Sequence, residues 1–242
     1  MASFSEWADR ALSLIFVPKC ASCGERLPLD GSVLCPVCLY AYRNACERSC
    51  PVCGKKLAEC LCAPPHLRTA GVYRLVKLFR YRSGEENAPE NRMIYTLKHT
   101  DLRPLQRFLA HELAPSLARP IARHKADFCV TFPPRSQKAL RRDGFDHAAA
   151  MARALAQELD IPFLPTLVRV TGGEQKKLDR AARLQAAGDN YALRPRLSLS
   201  GRRVLLFDDV TTTGATLAAT ARLLRRGGAR EVLCVTLAVA MP

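Results

Sequence analysis

The 242-residue chain is short of acidic residues, with 22 Asp+Glu against 37 Lys+Arg, and poor in aromatic ones, which make up 7% of it. The formal net charge of +15 favours phosphate-bearing partners through attraction and counterion release, although a soluble protein can also be basic without one. The shortage of rings argues against a broad base-stacking platform. No apolar run approaches the roughly 18 residues of a membrane span, so none is expected. The opening MASFSEWADRALSLIFVPK carries Glu6 and Asp9 where a secretory leader carries bases, and it has no small-residue cleavage site. A cytoplasmic, reducing compartment is therefore expected. With 48% hydrophobic residues the chain can bury a substantial core, in one large domain or in one medium and one small.

Cysteine is scarce except in one place, since nine of the 11 lie between positions 20 and 62. Cys20-Ala-Ser-Cys23 and Cys35-Pro-Val-Cys38 form one CxxC pair of pairs. Cys50-Pro-Val-Cys53 followed by Cys60-Leu-Cys62 forms a second, tighter set. In a reducing compartment such spacing points to tetrahedral zinc rather than disulfides, because the two-residue spacer turns backbone N–H groups toward the sulfurs. One or two structural zinc ions are expected. Cys46 is an alternative ligand for the second site, and a crossed pairing of the four pairs fits the spacing equally well. The segment holds too little apolar material for a core of its own, so metal would have to replace that core. Cys129 and Cys234, inside strand-like DFCVTF and VLCVTL, read as small buried residues.

Residues 1–17 place Phe4, Trp7, Ala8, Ala11, Leu14 and Ile15 at a helical period, an N-terminal amphipathic helix ended by Pro18. The cysteine module spans 18–66, and 67–242 forms the main domain. Residues 69–79 read as a strand and 83–91 as a loop. Helices are expected near 91–98, 102–122, 145–159 and 215–227, with strands near 127–132, 163–168, 203–208 and 231–239. Strands interleaved with helices imply an α/β fold with a parallel sheet and ligands beyond the strands' carboxyl ends.

The stretch VLLFDDVTTTGAT at 204–216 combines a strand, two aspartates and a hydroxyl-rich turn into a helix. The free N–H groups of the helix start make an anion site, Gly214 permits close backbone approach, and Thr212, Thr213 and Thr216 add donors. Asp208 and Asp209 would repel a phosphate, so they need a different partner. A vicinal diol a few ångströms away supplies one, and a ribose 5-phosphate satisfies both halves. An acidic pair that merely caps a helix is the competing account.

LLFDDVTTTGAT resembles the phosphoribosyl-pyrophosphate (PRPP) signature of type I phosphoribosyltransferases. With the cysteine module in front, the chain resembles the competence protein ComF family, and IYTLKHTDLRPL at 94–105, FPPRSQKALRRDGFDHA at 132–148 and RVTGGEQKKLDRAARL at 169–184 extend the likeness. The resemblance implies a type I phosphoribosyltransferase-like parallel sheet flanked by helices and preceded by a small zinc module. It implies that Asp208 and Asp209 hold the ribose hydroxyls at the reacting centre. Thr212, Thr213, Gly214, Ala215 and Thr216 would cradle the 5-phosphate, and Arg135 and Lys138, with Lys98 more distant, would meet a pyrophosphate bound with Mg²⁺. A role in handling single-stranded DNA during transformation, with DNA-uptake or recombination proteins as partners, follows from the same likeness. Two alternatives stand beside it, an active phosphoribosyltransferase with an unidentified acceptor and a non-catalytic adaptor. The chain departs from the family's RGFNQ at Asp143-Gly144-Phe145-Asp146-His147. It also departs from the family's Q..L…R..N pattern, keeping Gln175, Leu178 and Arg183 but placing Ala186 last.

Overall fold

A computed structural model describes residues 17–170 and 190–240. The N-terminal helix expected over 1–17 and the motif residues Gln175, Leu178, Arg183 and Ala186 lie outside the described residues.

In chain order the elements are α1 (Pro36–Glu47), α2 (Pro65–Thr69), β1 (Leu75–Val76), β2 (Phe79–Arg80), α3 (Pro89–His99), α4 (Arg103–Ala122), β3 (Phe128–Thr131), α5 (Gln137–Asp143), α6 (His147–Leu159), β4 (Leu167–Arg169), β5 (Tyr191–Leu193), β6 (Arg203–Thr211), α7 (Ala215–Arg226) and β7 (Glu231–Val239). β6 and β7 form the centre of a parallel five-stranded sheet ordered β1-β7-β6-β3, and β2 continues the β1 edge along β7. Along β6 the side chains alternate between the two faces. Leu205 and Phe207 join the core shared with α3, α4 and α6, whereas Val204 and Leu206 join the core shared with α7.

Four helices and three main strands fall close to the expected positions, and four features differ. β6 runs to Thr211, past the aspartates where the strand was expected to end, because β7 extends to Val239 and pairs with Val210 and Thr211. The 163–168 strand contributes only a single parallel bridge, Val130 to Phe163, since Pro162 and Pro165 supply no N–H to a ladder; Leu167–Arg169 instead pairs antiparallel with Tyr191–Leu193. The 69–79 strand is broken into β1 and β2 on either side of Lys77, whose side chain turns inward. Finally, α1, α2, α5 and β5 were not anticipated.

The cysteine module leans on the sheet rather than standing apart. Tyr42 of α1 is fully buried, meets the rings of Phe79 and Phe108 edge-on at 5.9 and 5.4 Å, and donates to Glu112 Oε2 at 3.1 Å. Cys20, Cys35 and Cys38 belong to the same core as Val76, Leu97 and Leu109. Polar links reinforce the seam. Ser22 Oγ donates to Pro89 O at 3.0 Å, and buried Glu90 of α3 receives Arg82 at 3.2 Å and Arg48 at 3.8 Å. Lys77, 1% exposed, donates to the carbonyls of Cys60, Cys62 and Leu75 at 2.9, 3.1 and 3.3 Å. Among the described residues no helix is long and apolar enough to cross a membrane.

Candidate ribose-phosphate and metal sites

The eight expected cysteines gather into two clusters, Cys20/Cys23/Cys35/Cys38 and Cys50/Cys53/Cys60/Cys62, with the sulfurs of each within 4.8 Å of one another. The pairing is therefore sequential, not crossed, and Cys46 belongs to neither. Four Zn–S bonds of about 2.3 Å imply S···S edges of about 3.8 Å. The Cys23–Cys35 and Cys53–Cys60 sulfurs lie 3.7 and 3.6 Å apart, so each cluster can hold a zinc ion. In the first CxxC turn of each cluster the glycine that follows adopts positive φ, +80° at Gly24 and +71° at Gly54, and donates its N–H to the first cysteine's carbonyl. The N–H groups of Cys35 and Cys62 reach the Cys20 and Cys60 sulfurs at 3.3 Å, the contacts that favour a thiolate. Burial pushes the thiols of Cys46 and Cys234 up to about 12 and raises that of Cys129, in keeping with inert core cysteines.

The second site lies where β6 passes into α7. Thr211 ends the strand, and Gly214 at φ +81° turns the chain into the helix as its N-cap. Leu67 of α2 closes against Gly214, and a Cβ added there would come 3.1 Å from Leu67 Cγ. The turn encloses a small cavity of about 50 Å³ lined by Asp208, Val210 and every residue from Thr211 to Leu217. Thr212, Thr213, Ala215 and Thr216 are exposed, and the Thr211 hydroxyl is buried without a partner among the described residues.

Asp208 and Thr216 also border a larger cleft of about 370 Å³, whose far walls include Lys98, Arg135, Arg142, Arg169 and Tyr191. The expected Arg135 is thus beside the carboxylates, and so is Lys98. Lys138 is exposed on α5 and is not among the cleft-lining residues, whereas Arg142, also exposed and one turn on at the end of α5, borders the cleft. Arg142, Arg169, Tyr191 and His147 were not singled out as ligand contacts. The basic run RSQKALRRDGFDH held the signal for two of them, whereas Arg169 and Tyr191 arrive through the unanticipated β4–β5 ribbon.

Comparison with known proteins bears on this geometry. The Phosphoribosyl transferase domain family matches residues 146–241, which include the turn and both aspartates. The DNA utilization protein YhgH of Salmonella typhimurium is 30% identical, with 90% of this chain and 97% of that one covered. The chain belongs to the ComF family. The competence protein ComFC of Bacillus subtilis is 27% identical over 84% of this chain and 83% of its own. Among solved structures, a purine phosphoribosyltransferase from Pyrococcus horikoshii overlays 55% of this chain and 73% of its own, with 22% identity and a TM-score of 0.33.

Within this ComF-family fold the two aspartates are not equivalent. Burial, then the neighbouring Asp209 charge, raises the Asp208 carboxyl well above its usual range. Burial also pushes Asp209 up, but the His147 imidazole 3.0 Å away and the Lys98 charge outweigh it and hold that carboxyl well below the usual range. Asp209 thus stays ionised while Asp208 is the readily protonated member of the pair. Asp208 Oδ1 accepts the Asp209 N–H at 3.0 Å, and Asp208 borders both cavities. On the opposite wall, Asp143 is held below the usual range by Arg142 and then Arg135, and its Oδ2 accepts from Arg135 at 2.5 Å. An anion-sized turn, a carboxylate pair and a basic wall therefore lie in sequence along one opening.

Proposed function

We propose that this ComF-family protein binds PRPP or a related ribose phosphate together with Mg²⁺, and that it handles single-stranded DNA in the cytoplasm during DNA uptake. The position of Asp208 and Asp209, between the small Thr211–Leu217 cavity and the basic cleft, carries the reading. A 5-phosphate would take the N–H groups and hydroxyls of Thr212–Thr216, the ribose diol would donate to the carboxylates, and a diphosphate would extend toward Lys98 and Arg135. Mg²⁺ would offset the charge of that diphosphate. Residues 18–66 would serve as a zinc-held module on the phosphoribosyltransferase-like domain over 67–242. The DNA part draws on the relatives' names and on the +15 charge. Uptake or recombination proteins would be its partners.

A second reading, glycosyl transfer from PRPP to an unidentified base or amine, is favoured by the cleft beyond the carboxylates, which has about 370 Å³ for an acceptor. Such chemistry needs a fixed ribose and a stabilised departing diphosphate, tasks suited to Asp208 and Asp209 on one side and Lys98 and Arg135 on the other. The deciding experiment is a calorimetric titration of zinc-loaded protein with PRPP and Mg²⁺ beside the Asp208→Asn/Asp209→Asn variant. The parent is expected to bind and the variant to lose about 100-fold or more in affinity, in line with the loss of two charge-assisted hydrogen bonds. Equal binding by both would remove the diol assignment. For DNA, affinity for a short single strand should fall steeply with added salt.

A further inference from the structure

The segment Asp143–His147 is where the chain leaves its family's pattern; His147 lines the cleft, and Asp143 and Asp146 hold Arg135, which lines it too. Asp143 pairs with Arg135 and Arg142. Asp146 caps α6 by accepting from Ala148 and Ala149, and its other oxygen accepts the Arg135 N–H. His147, the first residue of α6, points its Nε2 at Asp209 Oδ2 from 3.0 Å, with its side chain 7% exposed. Its Nδ1 is buried and has no partner among the described residues.

Asp209 Oδ2 also receives Lys98 Nζ at 3.3 Å, while Oδ1 accepts the Val210 N–H at 2.7 Å. The two cationic partners differ in freedom. Lys98 sits on the last turn of α3 with a side chain 36% exposed, on a flexible stem that can turn into the cleft it lines. His147 is enclosed, and its position is set by the start of α6. A diphosphate entering the cleft would compete with Asp209 for Lys98. Were Lys98 the sole partner, its departure would strand a buried carboxylate, which would then take up a proton or swing away.

We infer that His147 is a positioning residue that keeps Asp209 aimed at the ribose hydroxyls while Lys98 moves to the ligand's phosphates, so that ribose-phosphate binding depends on this one imidazole. The inference rests on the reading of Asp208 and Asp209 as the diol site. The charged and titratable groups facing His147 are Asp208 and Asp209 from β6, Lys98 from α3, Arg135, Arg142 and Asp143 before α6, Asp146 at its own cap, and Arg169 and Tyr191 across the cleft. Asp143 pairs with both Arg135 and Arg142, Asp146 is engaged by N–H groups, and Arg169 donates to the Tyr191 hydroxyl. The cationic side chains in contact with Asp209 itself are Lys98 and His147. From its fixed place at the start of α6 the imidazole stays 3.0 Å from Asp209 Oδ2 when Lys98 is drawn to the ligand.

The test is a double-mutant cycle in which PRPP and Mg²⁺ are titrated into the parent, His147→Gln, His147→Ala, Asp209→Asn and the His147→Ala/Asp209→Asn variant at one pH. His147→Ala should bind about tenfold more weakly than the parent, the size of one polar contact near the site, and His147→Gln should recover part of the loss. In the Asp209→Asn background the same His147→Ala change should cost less than about twofold, because the imidazole acts through that carboxylate. Equal losses in both backgrounds, or none in the parent, would overturn the inference and leave the ribose-phosphate reading standing; no binding by the parent would overturn both.

Discussion

The first cysteine cluster shares a core with one face of the α/β sheet, yet the cysteine module and the sheet stand on different physics. Between positions 20 and 62 the chain commits eight side chains to two sulfur clusters, and the second surrounds a core of only Cys50, Leu57 and Cys60. The sheet, by contrast, has β6 and β7 buried on both faces between Leu-rich helices. A region with few apolar residues can gain order from a metal, because its binding free energy is also folding free energy. A region with many needs only burial. Where the two meet, Tyr42, Glu90 and Lys77 let each side complete the other.

Chelation should separate the two regions most sharply. Structural zinc contributes on the order of 10 kcal/mol per site at neutral pH, so its removal should melt residues 18–66 and expose Tyr42 while most sheet ellipticity survives. Near-UV and far-UV dichroism recorded together would check this, and a simultaneous loss of both would show that the sheet cannot stand without the module. The converse perturbation is Leu109→Ala. Leu109 is fully buried on α4, so the change should cost about 3 kcal/mol by denaturant unfolding while zinc content stays constant.

Lys77→Met attacks the seam itself. Three carbonyls would lose their donor and the thiolate cluster a nearby positive charge, for a cost of about 2 kcal/mol, and zinc retention at Cys50/Cys53/Cys60/Cys62 should fall together with stability. Gly214→Ala is expected to have the smallest effect on stability. The positive φ costs about 1–2 kcal/mol and the new methyl presses on Leu67, while phosphate binding should fall with zinc content unchanged.

Much of this was legible in the residues, for identifiable reasons. CxxC spacing is local, so ligand identity could be read without a fold, and the helical periods of α4 and α6 exceed the length at which strand and helix patterns blur. The DDVTTTGAT turn is contiguous, so its phosphate cradle was visible as well. α1 was obscured because half its face is cysteine and its apolar partner, Phe79, comes from a strand far along the chain. α5 was hidden by its brevity and by two prolines just ahead of it. The strand at 163–168 was misjudged because β-branched and apolar residues outvoted Pro162 and Pro165.

The sequence by itself determined which sulfurs were available, where the phosphate-binding turn would lie, and that the sheet would be parallel, since each depends on residues close together in the chain. The tertiary structure decided which cysteine pairs share a cluster. It also brought Lys98, Arg135, Arg142 and Arg169 around one cleft and placed His147 on Asp209. Those outcomes depend on how helices and strands distant in sequence pack across the sheet, and side-chain chemistry alone carries no record of that packing.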